Sequence, residues 1–268
     1  MMRSLWIASG GMASQQLNVD VISNNLANVN TTGYKKERIE FKDLLYQTIS
    51  RASIVDGEGR PVNLQVGMGV APHTTVKNFG MGNLEKTENP LDFAIEGDAF
   101  FKVLDPNNEI LYTRDGSFKI SVTGDGVNKK ITTSDGYTIL DENDQEILID
   151  FDIASLVVGV DGTLSYIDAD GVTNPLGQSI GMVKFPNRAG LESIGKNFYR
   201  ANSASGEPVL DSEEGRRSNL RQGFLESSNV QVVEEMIKLI VAQRSYEINS
   251  KAIQTSDEML SLANNLRR

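Results

Sequence analysis

The side chains of this sequence that could do chemistry are carboxylates, hydroxyls and one imidazole. His73 is the only histidine and there is no cysteine, so thiol catalysis, disulfides and zinc sites of the Cys/His kind are excluded. A Ser-His-Asp relay would have to use His73, which sits among the β-prone residues Val70 to Val76 with no nucleophile elbow beside it. Asp161-Gly162-Thr163 and Asp168-Ala169-Asp170-Gly171 have the outline of aspartyl or calcium-loop motifs. A calcium loop of the EF-hand type needs alternating ligands, a central glycine and a closing glutamate between two helices. Neither segment completes that set, and Asp-Gly hairpin turns account for both. No GxxxxGK[ST] or GxGxxG occurs, since Gly67-Met68-Gly69 lacks a third glycine and a following helix. A pair of carboxylates of the glycosidase kind stays open on counting alone, with nothing to single one out. The expectation is a protein with no catalytic residues, no cofactor and no metal site.

Spacing, not chemistry, marks the two ends of the chain. At the N-terminus Leu5, Ala8, Met12, Gln15, Val19, Ile22, Leu26 and Val29 keep a 3-4-3-4 rhythm in which only Gln15 is not apolar. At the C-terminus Ile248, Ala252, Thr255, Met259, Leu262 and Leu266 continue it, fed by Val233, Ile237, Ile240 and Val241. A repeat of about 3.5 residues puts one apolar stripe on a helix, and such a stripe calls for another helix against it. The first helix is expected from an N-cap at Ser4 to about Asn30, closed by Thr31-Thr32-Gly33 with Gly33 in the left-handed conformation. Gly10-Gly11 and the cluster Asn24, Asn25 and Asn28 are poor helix formers, so this helix needs partners to form. Ser227-Ser228-Asn229 are expected to cap the second helix, with Glu234 and Glu235 at the favourable end of its dipole.

Between the helices the pattern changes. Phe41, Leu44, Leu45 and Ile49 suggest a short helical or mixed stretch, and Ser53–Pro61 reads as a flexible loop. From about 73 to 215 turn signals come thickly: Asp115-Gly116, Gly124-Asp125-Gly126, Asp135-Gly136, Asp161-Gly162 and Asp170-Gly171. They lie near short β-prone runs such as Phe100–Leu104, Lys130–Thr133, Tyr137–Leu140 and Ser155–Val160, which indicates an antiparallel sandwich or irregular barrel. The fold class is therefore α+β: discontinuous terminal helices forming a coiled-coil-like domain, plus a central all-β domain of irregular antiparallel strands.

At 268 residues, 39% of them hydrophobic and 23% charged, the chain can bury a core. Apolar runs reach only about four residues, as at Leu239–Ala242, where a membrane span needs roughly 20. Met1–Met12 does not read as a secretory signal, because Ser9, Gly10 and Gly11 break it; any exit from the cytoplasm would remove no such peptide. The net charge of −10 is concentrated in the middle: residues 36–219 hold 18 basic against 29 acidic residues, while both ends are near neutral. An acidic middle argues against nucleic acid, which needs a basic footprint.

The residues after the first seam carry a resemblance. Asn24-Asn25-Leu26-Ala27-Asn28-Val29-Asn30-Thr31-Thr32-Gly33-Tyr34-Lys35 resembles the NNLANxxTxGYK signature of bacterial flagellar rod, hook and hook-associated proteins. Ser227-Ser228-Asn229-Val230 and Ala242-Gln243-Arg244-Ser245-Tyr246-Glu247-Ile248-Asn249-Ser250-Lys251 resemble the matching C-terminal signature. Phe93–Phe101, Tyr112–Phe118 and Gly190–Gly195 are similar to motifs of the family's β-domain, so the likeness covers essentially the whole chain. Only the stretch from Ser53 to Pro61 gives no strong match.

Within this axial family the likeness is to the rod, at its distal end, with a proximal rod or hook-type subunit as the alternative. The resemblance implies an N-terminal assembly helix over 1–33, a connecting segment over 34–75 and an outer β-domain over 76–222. A C-terminal assembly helix over 223–268 would pair with the first. Leu5, Met12, Val19, Ile22, Leu26, Val29, Ile237, Val241, Ile248, Ala252, Met259, Leu262 and Leu266 are the candidate self-assembly interface. Asn24, Asn25, Ala27, Asn28, Thr31, Gly33 and Tyr34 are the family-motif positions. The implied product is a rigid helical tube that transmits torque and surrounds an export channel. Its partners would be further copies of the chain, other rod subunits, the hook protein, surrounding ring proteins and the flagellar export apparatus, with no nucleic acid and no membrane insertion. The implied location is the flagellar basal body, reached without a cleaved signal peptide. The stretch Tyr46–Val66 is expected to stiffen the tube.

Overall fold

A computed structural model describes residues 2–55, 58–60, 62–122, 129–151, 153–168, 172–211 and 218–265. They form two units. One comprises the chain ends together with residues 37–77, and the other comprises residues 28–36 and 78–230.

In the first unit, helix α1 (Met2–Ala27) packs against helix α2 (Val232–Asn265). α1 begins before Ser4 and stops three residues short of Asn30. Ser4 is not its cap, and its hydroxyl instead meets that of Ser256 at 3.3 Å. The face that α1 buries is Ala8, Gly11, Ser14, Ile22 and Asn25, and α2 answers with Glu235, Ala242 and Ser256. The buried face of α1 thus takes Ala8 and Ile22 from the expected apolar row and adds the small or polar Gly11, Ser14 and Asn25. α2 also starts later than expected, at Val232. Asn229 does not cap it, and its side chain serves the other unit.

Residues 37–77 form a β-ribbon where the sequence suggested a helical stretch followed by a loop. Glu37–Asp43 pairs antiparallel with Val70–Lys77, Tyr46–Ser50 with Leu64–Gly67, and Ser53–Val55 with Glu58–Arg60. Aromatic and β-branched residues such as Ile39, Phe41, Tyr46, Thr48 and Ile49 favour strands once a partner strand is present. The two-residue alternation that normally announces a strand is missing because the ribbon exposes side chains on both faces. Leu45 is 88% and Val62 73% exposed. Residues 56, 57 and 61 of the expected loop lie outside the described residues.

The second unit is β-rich and antiparallel. Its largest sheet runs Phe118–Val122, Lys129–Thr133, Thr138–Ile139, Phe100–Leu104, Ile110–Thr113, Phe198–Arg200, Glu192–Gly195, with further strands branching from that path. Leu156–Val158, Thr163–Ile167 and Thr173–Ser179 form a separate three-stranded sheet. Strand alternation divides the core in two: Phe101 and Val103 join Phe93, Leu111, Phe118 and Ile131 on one side, while Phe100 joins Phe79, Tyr112, Phe185 and Tyr199 on the other. Edge-on ring contacts, such as Phe101–Phe118 at 5.3 Å and Phe100–Phe79 at 5.4 Å, recur through both halves.

Asp135-Gly136 and Asp161-Gly162 are the hairpin turns their sequence indicates, Gly162 at φ +80° with its N–H bonded to Gly159 O at 2.9 Å. Asp115-Gly116 is instead a close crossing, where Phe93 N donates to Gly116 O at 3.0 Å. Gly124-Asp125-Gly126 and Asp170-Gly171 lie outside the described residues. Phe224–Glu226 pairs with Leu84–Lys86, so the β-rich unit reaches past residue 222, to Val230.

Candidate assembly site and the signature motif

The two expected interface rows differ in the structure. In the N-terminal row Ile22 is buried, while Leu5, Met12, Val19, Leu26 and Val29 are half-buried. In the C-terminal row Ile237, Val241, Ile248, Ala252, Met259 and Leu262 are all exposed, and Leu266 lies outside the described residues. α2 therefore buries Glu235, Ala242 and Ser256, with Leu239, Ile253 and Leu260 half-buried, and leaves the residues of the expected row exposed. On α1, exposed Trp6 joins Arg3, Ile7 and Met68 around an almost wholly apolar hollow of about 310 Å³.

The signature motif splits between the units. Asn24 and Ala27 are exposed. Asn25, the buried member of the helical part, clasps the backbone of Glu37: its Oδ1 accepts from Glu37 N at 2.9 Å and its Nδ2 donates to Glu37 O at 2.8 Å. The same Nδ2 donates to Glu235 Oε2 at 3.2 Å, and Glu235 Oε1 pairs with Lys238 Nζ at 2.7 Å. One amide thus ties α1 to the ribbon and to α2.

The second half of the motif is a wedge in the β-rich unit. Thr31 N donates to Asn28 O at 3.2 Å and Thr31 Oγ1 to Asn28 Oδ1 at 3.2 Å, turning the chain just after α1. Thr32 Oγ1 donates to Asp115 Oδ1 at 3.1 Å. Gly33 holds φ +66°, and a Cβ there would lie 2.7 Å from Asp115 N. Only glycine fits both the conformation and the space. Its N–H donates to Glu226 O at 2.8 Å. Tyr34 is buried beside it.

Lys35 closes the wedge. Its side chain has no exposed surface; Nζ meets Glu226 Oε1 at 2.5 Å and donates to Gly80 O at 2.9 Å. Glu226 Oε1 also accepts from Gly82 N at 2.8 Å, and Oε2 lies 3.5 Å from Arg114 Nη1. Arg114, equally buried, lies 5.0 Å over the Phe100 ring and donates to Gly97 O at 2.9 Å. Two cations share one carboxylate here. Burial pushes Lys35 down to about 8, against the opposing pull of Glu226, and pushes Arg114 down as well. Burial raises Asp115, against hydrogen bonds from Ser117 and Thr32. Asn229 finishes the join, accepting from Lys36 N at 2.8 Å and donating to Asn78 O at 2.8 Å.

This arrangement suits bracing, not turnover. The buried charges are spent on one another, and His73 is exposed on the strand Val70–Lys77. Among the described residues no group of three or more His, Cys, Asp or Glu side chains could hold a metal ion, and no helix is long and apolar enough to cross a membrane. Sequence reading quoted Lys35 and Arg114 only as letters of motifs, read Glu235 as a dipole effect, and missed Glu226.

Comparison with known proteins bears on what is braced. Residues 5–35 match the family described as flagella basal body rod protein. Residues 94–166 match the flagellar hook protein FlgE/F/G D1 domain, and residues 221–266 match the flagellar basal body rod FlgEFG protein C-terminal family. The flagellar basal-body rod protein FlgG of Borreliella burgdorferi is 47% identical over 275 residues, with 100% of both chains covered. That of Bacillus subtilis is 41% identical over 271 residues, again with 100% of both covered. The flagellar hook-basal body complex protein FlhP of Bacillus subtilis is 31% identical over 273 residues and 100% of both chains. The solved flagellar hook protein FlgE2 of Helicobacter pylori aligns with 63% of this chain and 46% of its own, at 16% identity and a TM-score of 0.24, too distant to carry structural detail across. With full-length relatives at this identity, the chain belongs to the flagellar basal-body rod protein family, a structural family of the bacterial flagellum and not an enzymatic one.

Proposed function

We propose that this chain is a subunit of the distal flagellar rod that polymerises through its terminal helices into a rigid tube around the export channel. The β-rich unit forms the outer wall, and the helices of neighbouring subunits pack in coiled-coil fashion. The observation that carries the reading is the outward face of α2. Val233 is 71%, Ile248 68% and Leu262 64% exposed, along a helix that buries Glu235, Ala242 and Ser256 within the chain. Contiguous apolar surface of this kind marks an interaction site, and a heterologous contact whose rotation does not close generates a filament. Other rod subunits, the hook protein, ring proteins and the export apparatus are the further partners, met in the basal body after export without a cleaved signal.

The β-ribbon is the stiffening element. Leu44, Leu45, Tyr46, Ile49, Val62 and Leu64 are exposed on a two-stranded ribbon, a form of marginal stability alone. Seated on an adjacent subunit, they would resist the sliding that lets a tube bend.

Electron microscopy of concentrated protein tests the reading: tubes are expected, and Leu262→Asp should abolish them with the fold intact, because each subunit contact would bury an unpaired carboxylate at a cost of several kcal/mol. Ile22→Asp is a less specific probe, since Ile22 is 4% exposed and lies in the intrachain contact. Normal tubes from Leu262→Asp would show that the outward face of α2 is not the assembly surface.

A further inference from the structure

The contact between α1 and α2 places polar groups among its apolar ones. Three contacts fix its register, and they are spread over nearly the full length of α1. Ser4 Oγ meets Ser256 Oγ at 3.3 Å. A Cβ on Gly11 would sit 2.9 Å from Asn249 Nδ2, so the Asn249 amide packs directly on the glycine and a larger residue there would displace it. Asn25 Nδ2 donates to Glu235 Oε2 at 3.2 Å, with both residues buried. The residue numbers of each pair total 260, which is one unbroken antiparallel register.

We infer that these polar contacts, with Glu235 as the positioning residue, set the register of α1 on α2 and select this pairing over slipped ones. Apolar seams tolerate slippage by a heptad because one large aliphatic residue resembles the next, whereas a buried polar group accepts only a register that supplies its partner. Slipped by one heptad, Asn25 would face Ala242, leaving Glu235 buried without the amide, and Asn249 would face Asn18 instead of Gly11. A glycine in mid-helix costs about 1 kcal/mol relative to alanine, and the accommodation of Asn249 accounts for its presence. The outward apolar rows cannot perform this selection within the chain, because α2 turns its row away from α1.

The test uses the full-length monomer and needs no polymer, so it fails or succeeds independently of the assembly reading. The sequence has no cysteine, so paired cysteines report register cleanly. Ser4→Cys with Ser256→Cys probes the observed register, and Ser4→Cys with Ala263→Cys probes the slip of one heptad. In the otherwise unchanged chain the first pair should oxidise about tenfold or more faster than the second, a factor within reach of one charge-assisted hydrogen bond. Glu235→Leu removes the partner while leaving Asn25 on Glu37, and should bring the two rates within about threefold of each other. Glu235→Gln keeps an acceptor for Asn25 and should restore the preference. Equal oxidation of both pairs in the unaltered background would overturn the inference, as would a preference undiminished by Glu235→Leu. So would the loss of both cross-links together with helical circular dichroism in Glu235→Leu, which would make the residue a requirement for pairing and not for register.

Discussion

Glu226→Ala should destabilise the β-rich unit by about 4 kcal/mol. The carboxylate accepts from Lys35 Nζ at 2.5 Å and Gly82 N at 2.8 Å and faces Arg114 Nη1 at 3.5 Å, and neither cation has exposed side-chain surface. The substitution removes one charge-assisted bond worth about 1.5–3 kcal/mol and one neutral bond worth about 1 kcal/mol, and leaves two buried cations facing each other. Losing one partner of a buried ion pair costs about 3–5 kcal/mol, because the remaining charge cannot reach water. Against a typical stability of about 5–15 kcal/mol this is a large fraction. Urea unfolding followed by near-ultraviolet circular dichroism of the buried Tyr112 and Tyr199 reads the β-rich unit, while fluorescence of Trp6, the single tryptophan, reads the helical one. In a cycle with Lys35→Met the two losses should fall short of additivity by about 2 kcal/mol, since each removes the same contact. A loss below about 1 kcal/mol for Glu226→Ala, or full additivity, would refute the claim that the cluster is dry and coupled.

The same lysine makes stability depend on pH. Its folded-state value of about 8 lies below the ordinary 10.5: below about 8 both states hold the proton and the penalty is constant, while between the two values the unfolded chain binds the extra proton, so stability from this group rises with pH by up to about 3 kcal/mol. The urea-midpoint difference between the unaltered chain and Lys35→Met should change in that direction across the window and stay flat below it; a flat difference throughout would refute the assignment. Ser14 Oγ is buried without a hydrogen-bond partner, so Ser14→Ala should stabilise the helix pair by about 1 kcal/mol, read from Trp6 on heating; a loss would show that the hydroxyl is satisfied. On the proposed stiffening role, deleting residues 50–62 should yield filaments that bend, because each aliphatic side chain that the ribbon would bury on a neighbour is worth roughly 1.5–3 kcal/mol; straight tubes in micrographs would leave the ribbon with no mechanical role.

Local chemistry was legible in the sequence and long-range chemistry was not. Asp135-Gly136 and Asp161-Gly162 reveal their turns because a tight turn is decided by the residues in it. The antiparallel β-rich character followed from such turns, and the family from its motifs. The apolar rows located both helices, and α1 buries Ala8 and Ile22 of its row; periodicity weights large side chains, so it gave no sign that Gly11, Ser14, Asn25 and Ala242 are buried with them. Ser4 and Asn229 were read as caps by residue type, yet each is claimed by a partner far away in the chain, Ser256 and Asn78 respectively. The ribbon escaped notice because neither of its faces is buried, which removes the alternation that marks a strand.

The signature motif acquires its physical meaning only when both chain ends are considered together. Asn25 holds the helical unit through Glu235, and Lys35 holds the β-rich unit through Glu226. Two N-terminal residues close in sequence thus take two C-terminal partners close in sequence, one pair for each unit. The two pairs span 210 and 191 positions, so each unit is tied to its N-terminal residues by the segment from Glu226 onward. A chain lacking it would have Lys35 with no carboxylate and Asn25 with no glutamate. An ammonium with no counter-charge resists burial by several kcal/mol, which keeps the wedge at Gly33 from seating. Of the buried members of the motif, Asn25, Gly33 and Lys35 thus each meet a residue far away in the chain, Glu235 in one case and Glu226 in the other two, while Asn24 and Ala27 stay exposed.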